Sequence, residues 1–79
     1  MIPKELEGIL SCDPKVMSGA ICFVGTRVPV QALFDTIEDG DPLQDFLDGF
    51  PDVTLQQARA VLRWEQVQAR QALGLQSAE

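Results

Sequence analysis

The sequence predicts a mainly α domain of three helices preceded by a short β-hairpin. Two observations carry this. Apolar residues recur at helical spacing in three separate stretches, and each stretch is bounded by its own Pro, Gly, Asp or Thr punctuation. With 79 residues there is room for one domain. A chain this short leaves roughly 40% of its unfolded surface exposed, so most large apolar side chains are needed in the core.

Two short apolar runs, Ile9 to Cys12 and Ile21 to Val24, are bounded by Asp13-Pro14, Gly19 and Gly25. They read as two strands of a hairpin, a β extension over residues 9–24. The first helix is expected over 30–39. Pro29 suits its start, because the N–H that Pro lacks would be unpaired there. Val30, Leu33, Phe34 and Ile37 share one face, and Gly40 supplies the left-handed stop. The second helix is expected over 42–48, with Asp41 as its cap and Pro42 in its first turn. Leu43, Phe46, Leu47 and Phe50 repeat the apolar spacing, Gly49 stops the helix, and Pro51 blocks continuation. The third helix is expected over 55–73. Thr54 and Gln57 have the spacing of a capping box, Leu55, Ala58, Leu62, Ala69 and Leu73 form an apolar stripe, and Gly74 ends it. Residues 75–79 are expected to fray. The second and third helices, joined by a tight Gly-Phe-Pro-Asp turn, have the layout of a helix-turn-helix.

Composition excludes several classes of function. The hydrophobic fraction is 46% and the charged fraction 23%, which is globular rather than disordered. No apolar run reaches the about 20 residues a membrane span needs, and Met1 to Leu10 does not read as a signal peptide. The expected compartment is the cytoplasm. There, Cys12 and Cys22 are expected as reduced thiols, with a cross-strand bridge the alternative if both lie on the hairpin. Histidine and tyrosine are absent, so the usual general base is missing, and no enzymatic activity is expected. Two cysteines without CxxC spacing do not make a zinc site. Asp41, Asp45 and Asp48 lack the twelve-residue loop and closing Glu of an EF-hand. Neither metal nor cofactor is expected.

Charge is unevenly placed. The net charge is −6, and Asp35, Glu38, Asp39, Asp41, Asp45, Asp48 and Asp52 form a stretch with no base in it. The last helix is net basic. At about 100° per residue, Arg59, Arg63 and Arg70 fall within roughly 40° of one another, and Gln56 and Gln66 flank them. Arg and Gln pair with guanine and adenine edges and with phosphates, so these five residues are the candidate DNA-binding set. Two other readings remain: an ordinary solvated helix face, or a basic face docking on an acidic protein surface, a second copy included. Trp64 lies about 140° from Arg59 on the wheel, so it is expected in the core or in a homodimer contact. Gly25, Thr26, Arg27 and Pro29 are expected to be structural. Gly25 permits a bend, Thr26 bonds the backbone, and Arg27 ties strand to helix. The Gly-rich lysine loop of a nucleotide site is absent.

Cys12-Asp13-Pro14, Ser18-Gly19, Phe23-Val24-Gly25-Thr26-Arg27-Val28-Pro29-Val30 and Phe50-Pro51-Asp52-Val53-Thr54 together resemble the hallmark of the domain of unknown function 433 family. The resemblance runs from about Ile9 to Arg70, and Gly-Thr-Arg-Val-Pro-Val is its most specific part. Ser18, Ile21 and Phe50 depart from a glycine, a proline and a tyrosine usual in that pattern. The resemblance implies a three-helix homeodomain-like helix-turn-helix with a short N-terminal β-hairpin. It also implies similarity to antitoxins of type II toxin–antitoxin pairs: a homodimer that neutralises a PIN-like ribonuclease toxin and binds promoter DNA. No catalytic residue carries over. A protein-only adaptor or dimerisation module is the alternative.

Overall fold

The computed structural model describes residues 2–15 and 19–75. Along them run a 3-10 turn (Lys4–Leu6), strands β1 (Leu10–Cys12) and β2 (Ile21–Phe23), and helices α1 (Val30–Glu38), α2 (Leu43–Gly49) and α3 (Leu55–Leu73). The expected mainly α architecture with an N-terminal hairpin is present. Ser18 and the tail beyond Leu75 lie outside the described residues.

The strands pair antiparallel, with Leu10 opposite Phe23, Ser11 opposite Cys22 and Cys12 opposite Ile21. The Val24 amide donates to the Ile9 carbonyl at 2.9 Å, which carries the pairing one residue further. Opposite residues share a face and successive ones alternate, so Leu10 and Phe23 point together into the core, where both are buried. The same alternation puts Cys12 and Cys22 on different faces. Cys12 is exposed, Cys22 is buried, and both thiols are free. Of the two expectations for the cysteines, the reduced pair is the one present.

A tight turn follows β2. Gly25 occupies its third position with φ +80°, where a β-turn of this kind requires positive φ. The Thr26 amide and hydroxyl both donate to the Phe23 carbonyl, at 3.0 and 2.9 Å. The hydroxyl accepts in turn from the Val28 amide at 3.0 Å. Pro29 bridges back to Cys22 and caps α1 without donating a bond. The motif thus hands the chain from sheet to helix.

α1 buries Leu33 and half-buries Val30, Ala32 and Phe34, while Ile37 at its end is 40% exposed. The helix closes with a Schellman motif: the Gly40 amide bonds Ile37 O and the Asp41 amide bonds Thr36 O. Asp41 is therefore spent on the end of α1. The start of α2 falls to Pro42, with no side-chain cap, which corrects the expected capping role of Asp41. α2 also runs through Gly49, one residue past the expected stop, until Phe50 and Pro51 end it. Phe46 is 1% exposed and packs between Phe23 and Phe50, with ring centroids 5.9 and 5.1 Å away.

The capping box of α3 forms as expected. The Gln57 amide donates to Thr54 Oγ1, and the Thr54 amide donates to Gln57 Oε1, both at 3.0 Å. Gln57 Nε2 also donates to the Val24 carbonyl at 3.2 Å, tying the first turn of α3 to the hairpin. The buried side of α3 is Ala58 and Val61, with Leu62 and Trp64 half-buried. The expected apolar stripe needs correction: Leu55 is 50% and Leu73 72% exposed. The core is too small to reach either end of a 19-residue helix. From Glu65 to Leu75 every residue is exposed.

Candidate nucleic-acid interface

α2 and α3, joined by Phe50–Thr54, form the helix-turn-helix layout, and the core fixes how α3 is rotated. Ala58 and Val61 are 0% and 1% exposed, so their side of the helix faces inward. The opposite side then faces solvent. Arg59, Arg63 and Arg70 lie there with Gln56 and Gln66, all five exposed. The three guanidiniums are spread over 11 residues, about 16 Å of helix axis. Glu65, the only acid of α3, sits about 120° round the helix from Arg59.

Two shallow hollows flank the central arginines. One, of about 420 Å³, is lined by Leu55, Gln56, Arg59, Ala60 and Arg63. The other, of about 290 Å³, is lined by Leu43, Arg59, Leu62, Arg63 and Gln66. Four of the five predicted residues therefore border one continuous strip, and Arg70 extends it toward the C-terminus. Such a strip offers charge-assisted donors for phosphates together with side chains suited to base edges.

The acidic stretch is close by. Asp35, Glu38, Asp39, Asp41, Asp45, Asp48 and Asp52 are all exposed on α1, α2 and their connections. Asp48 accepts from Gln44 Nε2 at 2.8 Å and Asp35 from Gln31 Nε2 at 3.0 Å, both one turn away along their own helices. The exposed acids are thus carried by α1, α2 and their connections, and the arginines of the strip by α3.

In the Gly-Thr-Arg segment the hydroxyl and the guanidinium differ in their surroundings. The Thr26 hydroxyl donates and accepts within its own turn. Arg27 is exposed and borders an open hollow of about 730 Å³ with Phe50 and Asp52. Among the described residues, no group of three His, Cys, Asp or Glu side chains is placed to hold a metal ion. No described helix is long and apolar enough to cross a membrane.

Two features escaped the sequence reading. The 3-10 turn buries Leu6 to 3% exposure and packs on α3, although three residues carry no periodicity to signal it. Trp64 takes the core role, the first of its two expected ones. It is half-buried against the core, and it also lines an open hollow of about 390 Å³ with Glu5, Leu6, Ala60, Arg63, Val67, Gln68 and Gln71.

Residues 10–64 match the model of a family described as protein of unknown function (DUF433). No curated protein matches the chain. Among solved structures, the crystal structure of a DUF433 member protein from Anabaena variabilis is similar over 89% of this chain and 80% of that one. The identity is 22% and the TM-score 0.66. A likeness at that identity speaks for the fold alone.

Proposed function

The chain belongs to the DUF433 family, a membership that fixes a fold and leaves the activity open, and from its surface we propose that it is a DNA-binding adaptor whose reading helix is α3. One observation carries this: Gln56, Arg59, Arg63, Gln66 and Arg70 are all exposed, on the side of α3 turned away from buried Ala58 and Val61. A helix that follows a short helix and a tight turn and shows arginine and glutamine outward fits the major groove. The net charge of −6 opposes binding at long range, so affinity depends on local contacts and on salt.

In this reading two copies present two α3 helices to two half-sites. The chain is no enzyme and acts in the cytoplasm. The resemblance to type II antitoxins supplies a protein partner, a PIN-like ribonuclease toxin. Its basic substrate groove would be covered by the acidic flank of α1 and α2. A protein-only adaptor is the second reading, and the exposure of all seven acids from Asp35 to Asp52 favours it.

Fluorescence polarisation with duplex DNA from upstream of the gene tests the first reading. Binding at about 50 mM salt that Arg59→Glu abolishes is the expected result. Absence of binding at that salt refutes it. Co-purification with the neighbouring gene product, unaffected by Arg59→Glu, tests the second.

A further inference from the structure

The core takes Ala58 and Val61 of α3 and leaves its first residue, Leu55, 50% exposed. A lone exposed leucine on a protein surface signifies nothing, but this one has polar company. It lines the hollow of about 420 Å³ together with Gln56, Arg59, Ala60 and Arg63, and none of the described residues that border it is acidic. Leu55 and Arg59 are one helical turn apart and about 40° from each other round the helix, with Gln56 about 60° beyond Arg59. Ala60, half-buried, adds a second apolar side chain. An apolar patch is thus bordered by two guanidiniums and an amide.

This part of α3 is also held firmly. The capping box closes its first turn through Thr54 and Gln57. Gln57 Nε2 ties that turn to the Val24 carbonyl of the hairpin. Leu55 therefore stands at a fixed place at the start of the helix rather than on a fraying end.

We propose that Leu55 is a specificity-determining residue that receives the C5-methyl group of a thymine. The inference rests on the DNA-binding reading and deepens it, by naming the base chemistry that α3 selects. In a helix-turn-helix the N-terminal residues of the second helix meet base edges, and Leu55 and Gln56 are the first two residues of α3. The major groove shows hydrogen-bond donors and acceptors at every base pair and a single apolar group, the thymine methyl. A leucine side chain has no hydrogen bond to offer, so that methyl is its one complementary group there. Gln56 and Arg59, on either side of the same hollow, supply the polar contacts that hold the base pair in register. The half-site this chain prefers therefore contains a thymine where the start of α3 meets it.

The test isolates the methyl group. Wild-type protein selects duplexes from a randomised pool at about 50 mM salt. Each thymine of the selected duplexes is then replaced in turn by deoxyuridine, which removes the C5-methyl and keeps the base pairing, and affinity is read by fluorescence polarisation. Wild type is expected to lose about fourfold at one thymine per half-site, the worth of one methyl group withdrawn from water. Leu55→Ala, at an exposed position that keeps helix propensity, is expected to stay folded by circular dichroism. It is expected to bind the thymine duplex at least about fourfold more weakly and to be indifferent to that replacement. Wild type indifferent to deoxyuridine at every thymine overturns the inference and leaves the DNA reading standing. So does a methyl response that persists undiminished in Leu55→Ala. A pool from which no duplex is bound at that salt refutes the DNA reading and the inference together.

Discussion

Salt dependence gives the arginine strip a quantitative signature. Arg59, Arg63 and Arg70 are exposed on one side of α3, so the proposed two-copy complex would offer six guanidiniums to the DNA backbone. If each contacts one phosphate, the slope of log affinity against log salt is about −0.9 per contact, or about −5.4 in all. Raising salt from 50 to 200 mM then weakens binding on the order of 2,000-fold. Arg59→Ala removes two of the six contacts, lowers the slope to about −3.6 and reduces the loss over the same range to ~150-fold. Fluorescence polarisation on a labelled duplex at four or five salt concentrations reads both slopes. The helix itself is expected to persist in this variant, since Arg59 is exposed and Ala keeps helix propensity. Equal slopes for wild type and Arg59→Ala would refute the argument that this side of α3 touches the DNA backbone.

Three further outcomes follow from the packing. Phe46→Ala, which removes a ring 1% exposed between Phe23 and Phe50, should cost about 3–5 kcal/mol. That is a large share of the roughly 4–12 kcal/mol available to a domain this size. Urea titration followed by Trp64 fluorescence should find its midpoint far below that of wild type, and a midpoint near wild type would contradict the core described. Thr26→Val keeps the shape but leaves the Val28 amide without its side-chain acceptor, so the same titration should read a loss of about 1–3 kcal/mol. For the thiols, an aromatic disulfide reagent should label Cys12 at once and Cys22 only on unfolding, because the first is exposed and the second buried; two equally fast sites would place the hairpin in a different register.

Most of the fold was legible because its boundaries are made by local chemistry. Thr54 and Gln57 cap α3 through bonds within four residues, Gly74 ends it in the left-handed conformation, and Gly25 turns the chain after β2. Each effect acts over one turn of backbone and needs no distant partner. Where two elements competed for one residue, local reasoning failed. Asp41 has the side chain of a helix cap, yet its backbone is drawn into the Schellman motif that closes α1, and α2 starts at Pro42 without it.

The candidate site divides along the same line. Helical periodicity alone brought Gln56, Arg59, Arg63, Gln66 and Arg70 to one side of α3, because 3.6 residues per turn is a property of the backbone. It could not tell which way that side would face. Packing decided this, by seating the small side chains of Ala58 and Val61 against the core and leaving Leu55 and Leu73 in solvent. The groove at Trp64 likewise exists only because the 3-10 turn, far away in sequence, comes to lie against α3. Periodicity is written into one segment, whereas the direction a segment faces depends on contacts between segments distant along the chain.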